Sequence, residues 1–180
     1  MSKNILIISS SPRRGGNSEE LAAAFAKGVQ EAGHSVETVY LREKQFGFCR
    51  GCLACAERGR CVIQDDAVEI ADQMHDADIL VFATPVYYYC VSGQLKTMLD
   101  RGNPLYDSDY AFTKVYLLAT AAEDGPHTVE GTVKAVQGWV DCFDRCELAD
   151  TVFAGGVEGV GAISGHPALT RAYQLGRAID

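Results

Sequence analysis

Cys49, Cys52, Cys55 and Cys61 stand close together in the pattern C-x2-C-x2-C-x5-C. Thiolates at this density bind soft metals, carry iron–sulfur clusters or exchange electrons as thiols. Zinc sites usually hold two cysteine pairs separated by a longer gap. Three cysteines in close succession are instead spaced like the run with which bacterial ferredoxins wrap a cubane. Gly51 and Gly59 give the backbone freedom to curl around such a group. The fourth cysteine of that ferredoxin run serves a different cluster, so spacing alone leaves three readings open: a [4Fe–4S] cluster, free or redox-active thiols, and zinc. Cys90, Cys142 and Cys146 are scattered and are expected as small buried side chains.

A second group of chemistry-bearing residues is "SSSPRRGGNS". Ser9, Ser10, Ser11 and Ser18 offer hydroxyls, Asn17 an amide, and Arg13 or Arg14 a positive charge. Gly15 and Gly16 let backbone turn closely around an anion. The run matches neither G-x-x-x-x-G-K-[ST] nor G-x-G-x-x-G. That disfavours a nucleoside triphosphatase and a standard dinucleotide domain, and leaves a single phosphate, such as that of FMN, or a plain polar capping loop.

A third is "TPVYYYCVSG". Pro85 stiffens it, and the side chains of Tyr87, Tyr88 and Tyr89 cannot all enter one core. At least one must meet solvent, a second chain or a planar heteroaromatic ligand. "TAAEDG" adds small residues that let a flat ring lie close to backbone. Lys96, Asp100 and Arg101 read as a solvated charged face. His34, His75, His127 and His166 show no metal-ligand spacing and receive no catalytic role.

These loops must be held by regular elements. Apolar, β-branched strands are expected over residues 4–10, 35–40, 78–83, 114–120 and 150–154. Helices are expected over 18–32, from Asp65 or Asp66 to about 75, over 94–100 and 129–146, and from Pro167 onward. Strands alternating with helices imply one parallel sheet covered on both faces. Five strands fit an α/β, flavodoxin-like three-layer sandwich with strand order 2-1-3-4-5, spanning residues 1–180 as one domain. In such sheets a ligand sits beyond the carboxyl ends of strands 1 and 3, where the winding reverses. Both candidate ligand loops fall there.

Composition bounds the partners. With 180 residues, 16 basic against 24 acidic, the net charge is −8. That is a poor match for nucleic acid or an anionic membrane surface. The apolar run at Ile5–Ile8 is too short for a signal core or membrane helix. A cytoplasmic setting is expected, where disulfides rarely persist.

The three loops together resemble the NAD(P)H-dependent FMN reductase group of flavodoxin-like proteins, and within it the iron–sulfur flavoproteins. The matching pieces are "SSSPRRGGNS", "TPVYYYCVSGQLKTMLDR" and "CRGCLACAERGRCVIQDD". The resemblance implies that Ser9, Ser11, Arg13, Asn17 and Ser18 occupy phosphate-loop positions. It implies that Pro85, Val86, Tyr87 and Tyr88 run along the flavin, that Thr120 and Ala121 approach it, and that Cys49, Cys52, Cys55 and Cys61 are the metal-binding set. The chain departs from such relatives at Ser10, where glycine is common before Ser-Pro-Arg, and at Cys90. By this resemblance the protein is an FMN-dependent oxidoreductase, a homodimer or homotetramer. It would take electrons from NAD(P)H or ferredoxin and pass them to a quinone, a flavin or another small acceptor. An electron carrier without its own NAD(P)H chemistry and a cysteine-based redox or metal sensor are the alternatives.

Overall fold

Strand β1 (Asn4–Ser9) lies between β2 (Ser35–Tyr40) and β3 (Ile79–Pro85), with β4 (Lys114–Thr120) and β5 (Glu147–Ala154) beyond β3. These elements come from a computed structural model that describes residues 2–180. Every pairing is parallel, giving the order β2-β1-β3-β4-β5. The inner strands are buried along nearly their whole length, because helices cover both faces, and so they read as unbroken apolar runs. Burial along β2, at the edge, alternates instead.

Successive strand side chains point to opposite faces and build two cores. Ile5, Ile7, Ile79 and Val81 pack beneath α1 (Asn17–Glu31) and α6 (Pro167–Arg177). Leu6, Ile8, Leu80 and Phe82 pack beneath α3 (Asp66–Asp76), α4 (Gly93–Arg101) and α5 (Glu130–Val140), three helices that follow a short α2 (Ala54–Arg58). Helices α1 and α6 touch backbone to backbone. A Cβ on Gly28 would collide with the Tyr173 carbonyl, and one on Gly176 with the Phe25 carbonyl.

Several expectations need correction. The helix expected to reach residue 146 stops at Val140, and residues 141–146 form turns. The cause is tertiary: Phe143 swings into the core, with its ring centroid 4.4 Å from that of Trp139. Strand β5 starts earlier than expected, because Glu147 already pairs with Lys114. The helix α2 and 3-10 turns at Leu41–Glu43 and Asn103–Leu105 were not expected. Of the scattered cysteines, Cys142 is exposed and Cys90 and Cys146 are half-buried. Burial pushes the Cys146 thiol up to about 11, which keeps it protonated at neutral pH.

Candidate functional site

The sheet reverses its winding between β1 and β3. The loops that leave the carboxyl ends of β1, β3 and β4 meet there. They enclose a cavity of about 200 Å³, open to solvent. From the first loop, Ser11, Arg13, Asn17 and Ser18 line it. Pro85, Val86 and Tyr87 line it from the β3 side, and Thr120 and Ala121 from β4. Two residues named from the sequence stand apart. Ser9 is buried and contributes no lining, and Tyr88 opens onto a neighbouring depression with Tyr89 and Glu123.

The first loop is built to leave backbone donors free. Gly16 caps α1 without a side-chain acceptor, and the Glu19 N–H donates to its carbonyl, so the Asn17 and Ser18 N–H groups and the positive helix end remain available to an anion. A Cβ at Gly16 would lie 2.8 Å from Ser11 Oγ and 3.2 Å from the Arg13 carbonyl, so only glycine fits this approach. The loop is pinned by its own polar groups. The Ser11 hydroxyl donates to the Arg13 carbonyl at 3.1 Å and accepts from the Arg13 N–H at 3.2 Å. The Asn17 amide donates to the Val157 and Gly159 carbonyls and accepts from the Ile163 N–H. Arg13 donates to the Glu158 carbonyl at 3.0 Å, whereas Arg14 turns outward to Glu43. Ser18 and Thr120 share a hydroxyl–hydroxyl bond of 3.1 Å across the cavity floor. Ser10 is a stitch: its hydroxyl donates to the Ala83 carbonyl and accepts from Ser92, the cap of α4.

The tyrosine run makes a tight turn. Tyr87 and Cys90 exchange backbone hydrogen bonds of 3.0 and 3.1 Å, and Tyr88 and Tyr89 between them both have positive φ, 49° and 61°. This is the geometry of a type I′ turn, usually filled by Asn-Gly. Two tyrosines there are strained and are held from outside. The Tyr89 hydroxyl donates to Glu123 at 3.0 Å, which raises its pKa. The Tyr89 carbonyl sits where a Cβ on Gly131 would be.

The four clustered cysteines line a second, small cavity of about 60 Å³, closed by Ile63 and the end of α4. Among the described residues, no three His, Cys, Asp or Glu side chains stand close enough to hold a metal ion. Asn103 Nδ2 donates to Cys55 Sγ at 3.0 Å. Arg101, expected on a solvated face, is fully buried beside this cavity and bonded to Asp65, while Lys96 and Asp100 do form an exposed pair at 2.6 Å. Desolvation pushes the Asp65 carboxyl up, but hydrogen bonds from Arg101 and the Gly47 N–H outweigh it and hold the group below its usual value. The sequence signal for Arg101 was its spacing from Leu95 and Met98 on the buried face of α4. Glu123 and the Val157–Glu158 loop were also missed, although they too follow strand ends at the ligand edge of the sheet.

A family model for NADPH-dependent FMN reductases matches residues 3–157. An iron–sulfur flavoprotein of Methanosarcina thermophila is 30% identical over 151 residues, covering 83% of this chain and 79% of that protein. One from Methanocaldococcus jannaschii is 40% identical over 101 residues, covering 56% of this chain and 52%, about half, of the relative. The solved structure of an NAD(P)H:quinone oxidoreductase from Methanothermobacter marburgensis aligns over 98% of this chain and 96% of that one, with a TM-score of 0.74. At 22% identity that likeness speaks for the fold. Family match, relative and fold agree with the geometry at the sheet edge: the chain belongs to the NADPH-dependent FMN reductase family.

Proposed function

We propose that this protein is an FMN-dependent oxidoreductase that draws electrons from NAD(P)H and passes them to a small acceptor such as a quinone or free flavin. The observation that carries the reading is the cavity where Gly16 leaves the α1 N-terminus uncapped for an anion, beside the aromatic and small residues of the next two loops. The residues fit FMN. Ser11, Arg13, Asn17 and Ser18 surround the place for a phosphate, and a Cβ at Gly16 would crowd that loop. Val86, Tyr87 and Ala121 supply apolar and backbone surface for a flat ring. When bound, FMN supplies hydride and single-electron chemistry. The chain's own residues bind it, orient it and keep water from one of its sides. The whole chain works as one FMN-binding unit in this reading, in the cytoplasm. Fully exposed Tyr88 supports a homodimer or homotetramer in which a second copy covers the tyrosine turn.

All four cysteines line the one small cavity and offer the donor set of a [4Fe–4S] cluster, and binding would draw their thiols closer together than they stand here. Cys49, Cys52, Cys55 and Cys61 would hold it, and ferredoxin would then be an alternative electron source. The relatives' name, iron–sulfur flavoprotein, supports this assignment.

The test is anaerobic purification followed by an absorbance spectrum and iron and sulfide analysis. Bound flavin that bleaches rapidly with NADH or NADPH is expected, with about four irons per chain. Flavin without iron sinks the cluster and leaves the reductase. Flavin that ignores nicotinamides but is reduced by ferredoxin sinks the reductase in favour of an electron carrier.

A further inference from the structure

Two donor-bearing residues at the carboxyl end of α4 line the cysteine cavity. Arg101 is the first, with its side chain 0% exposed. Its two terminal nitrogens are engaged: both donate to Asp65, Nη1 also to the Gly47 carbonyl and Nη2 to the Ile63 carbonyl. Those four bonds tie down both ends of the cysteine segment. They leave Nε buried and without a partner. A buried N–H without an acceptor is costly, and a bound group is one explanation for it. Arg101 lines the same cavity as the four thiols.

Asn103 is the second donor. Its amide reaches Cys55 Sγ at 3.0 Å, although its side chain is exposed and holds nothing else in place. Asp100 also lines the cavity, but its carboxylate is paired with Lys96. The net contribution of this helix end to the cavity is therefore hydrogen-bond donation.

We propose that Arg101 and Asn103 are positioning residues that hydrogen-bond the sulfurs of the group held in the cysteine cavity and set its reduction potential. The inference rests on the cluster reading above. Reduction adds one electron, and so one negative charge spread over the sulfurs. No bond forms or breaks. Donors aimed at sulfur stabilise the more negative form and raise the potential.

The experiment is an anaerobic redox titration of the full-length protein with dithionite as reductant, after reconstitution with ferrous iron and sulfide. Iron and sulfide content are measured alongside. Asn103→Ala is expected to keep its iron and to make reduction about tenfold less favourable, a lowering of about 59 mV for one electron. Asn103→Asp, which replaces a donor by a negative charge, lowers it further. Arg101→Lys keeps the charge but loses Nε–H, and lowers it as well. Because Asn103 is exposed, its variants fold even if the Arg101 variant does not. Iron-loaded Asn103 variants at the wild-type potential overturn the proposal and leave the cluster reading intact. A wild-type protein that takes up no iron overturns both.

Discussion

Arg101 and Asp65 meet as a two-pronged pair: Nη1 and Nη2 each donate to a different carboxylate oxygen, both at 2.7 Å. The same carboxylate caps α3 through the Ala67 N–H and accepts from the Gly47 N–H, so one side chain closes the cysteine segment and starts the next helix. Asp65→Asn leaves the buried guanidinium without its counter-charge. A loss of about 3–5 kcal/mol is expected from urea denaturation. The pair also fixes an acid limit. The folded carboxyl is held below 3.8, so its stabilisation is fully present above that pH and is lost as pH falls further toward the folded value. Thermal melts at low and neutral pH should therefore differ less in Asp65→Asn than in the wild type.

Gly15 and Gly16 separate two uses of glycine. Gly15 has φ +61° and open space around it, so Gly15→Ala should cost about 1–2 kcal/mol of stability through backbone strain. Gly16 has an ordinary φ but no room beside Ser11 and Arg13. Gly16→Ala should weaken FMN binding roughly tenfold, about 1.4 kcal/mol, with a smaller effect on the melting temperature. Fluorescence titration of the flavin-free protein measures the first, and a melt of the same sample the second.

The strained tyrosine turn makes an opposite prediction. Tyr88→Asn suits a positive φ better and removes no hydrogen bond found at Tyr88. It should stabilise the isolated chain by about 0.5–1 kcal/mol while reducing self-association. Denaturation and sedimentation on one preparation distinguish the two effects. A destabilised monomer would contradict the strain argument.

His75 gives a prediction near neutral pH. A hydrogen bond to Asp76, and a further one at 3.0 Å to Asp109, raise its pKa above 6.5. Its stabilisation is complete below pH 6.5 and is lost as pH rises through the raised folded value. His75→Gln should flatten the fall in denaturation midpoint between about pH 6 and pH 8 that this histidine causes.

The sheet was legible because Ile5–Ile8 and "ILVFA" are apolar on both faces, a demand that only a covered parallel strand makes. Asp65 and Pro167 announced their helices through local capping chemistry, which needs no knowledge of the rest of the fold. What escaped was decided at long range. Phe143 ends α5 by joining rings from β4's approach and α5 itself, and nothing near it in sequence says so. Arg101 looked like surface because its counter-charge, Asp65, is distant in the chain. The turn at Tyr88 and Tyr89 carries neither Gly nor Asn, so its type was invisible until the two strained φ angles appeared.

Helix α4 is capped by Ser92, which holds Ser10 beside the first loop, and ends at Arg101 on the cysteine cavity. Its nine residues make a rod about 14 Å long. The two sites are thus mounted on one piece of hardware. Moving the cysteine loop alone onto a sister scaffold would carry over four thiols and leave their guanidinium behind. Deleting one residue within α4 would rotate Arg101 by about 100° relative to Ser92. Loop and helix form a cassette that has to be transplanted, or allowed to drift, as a unit.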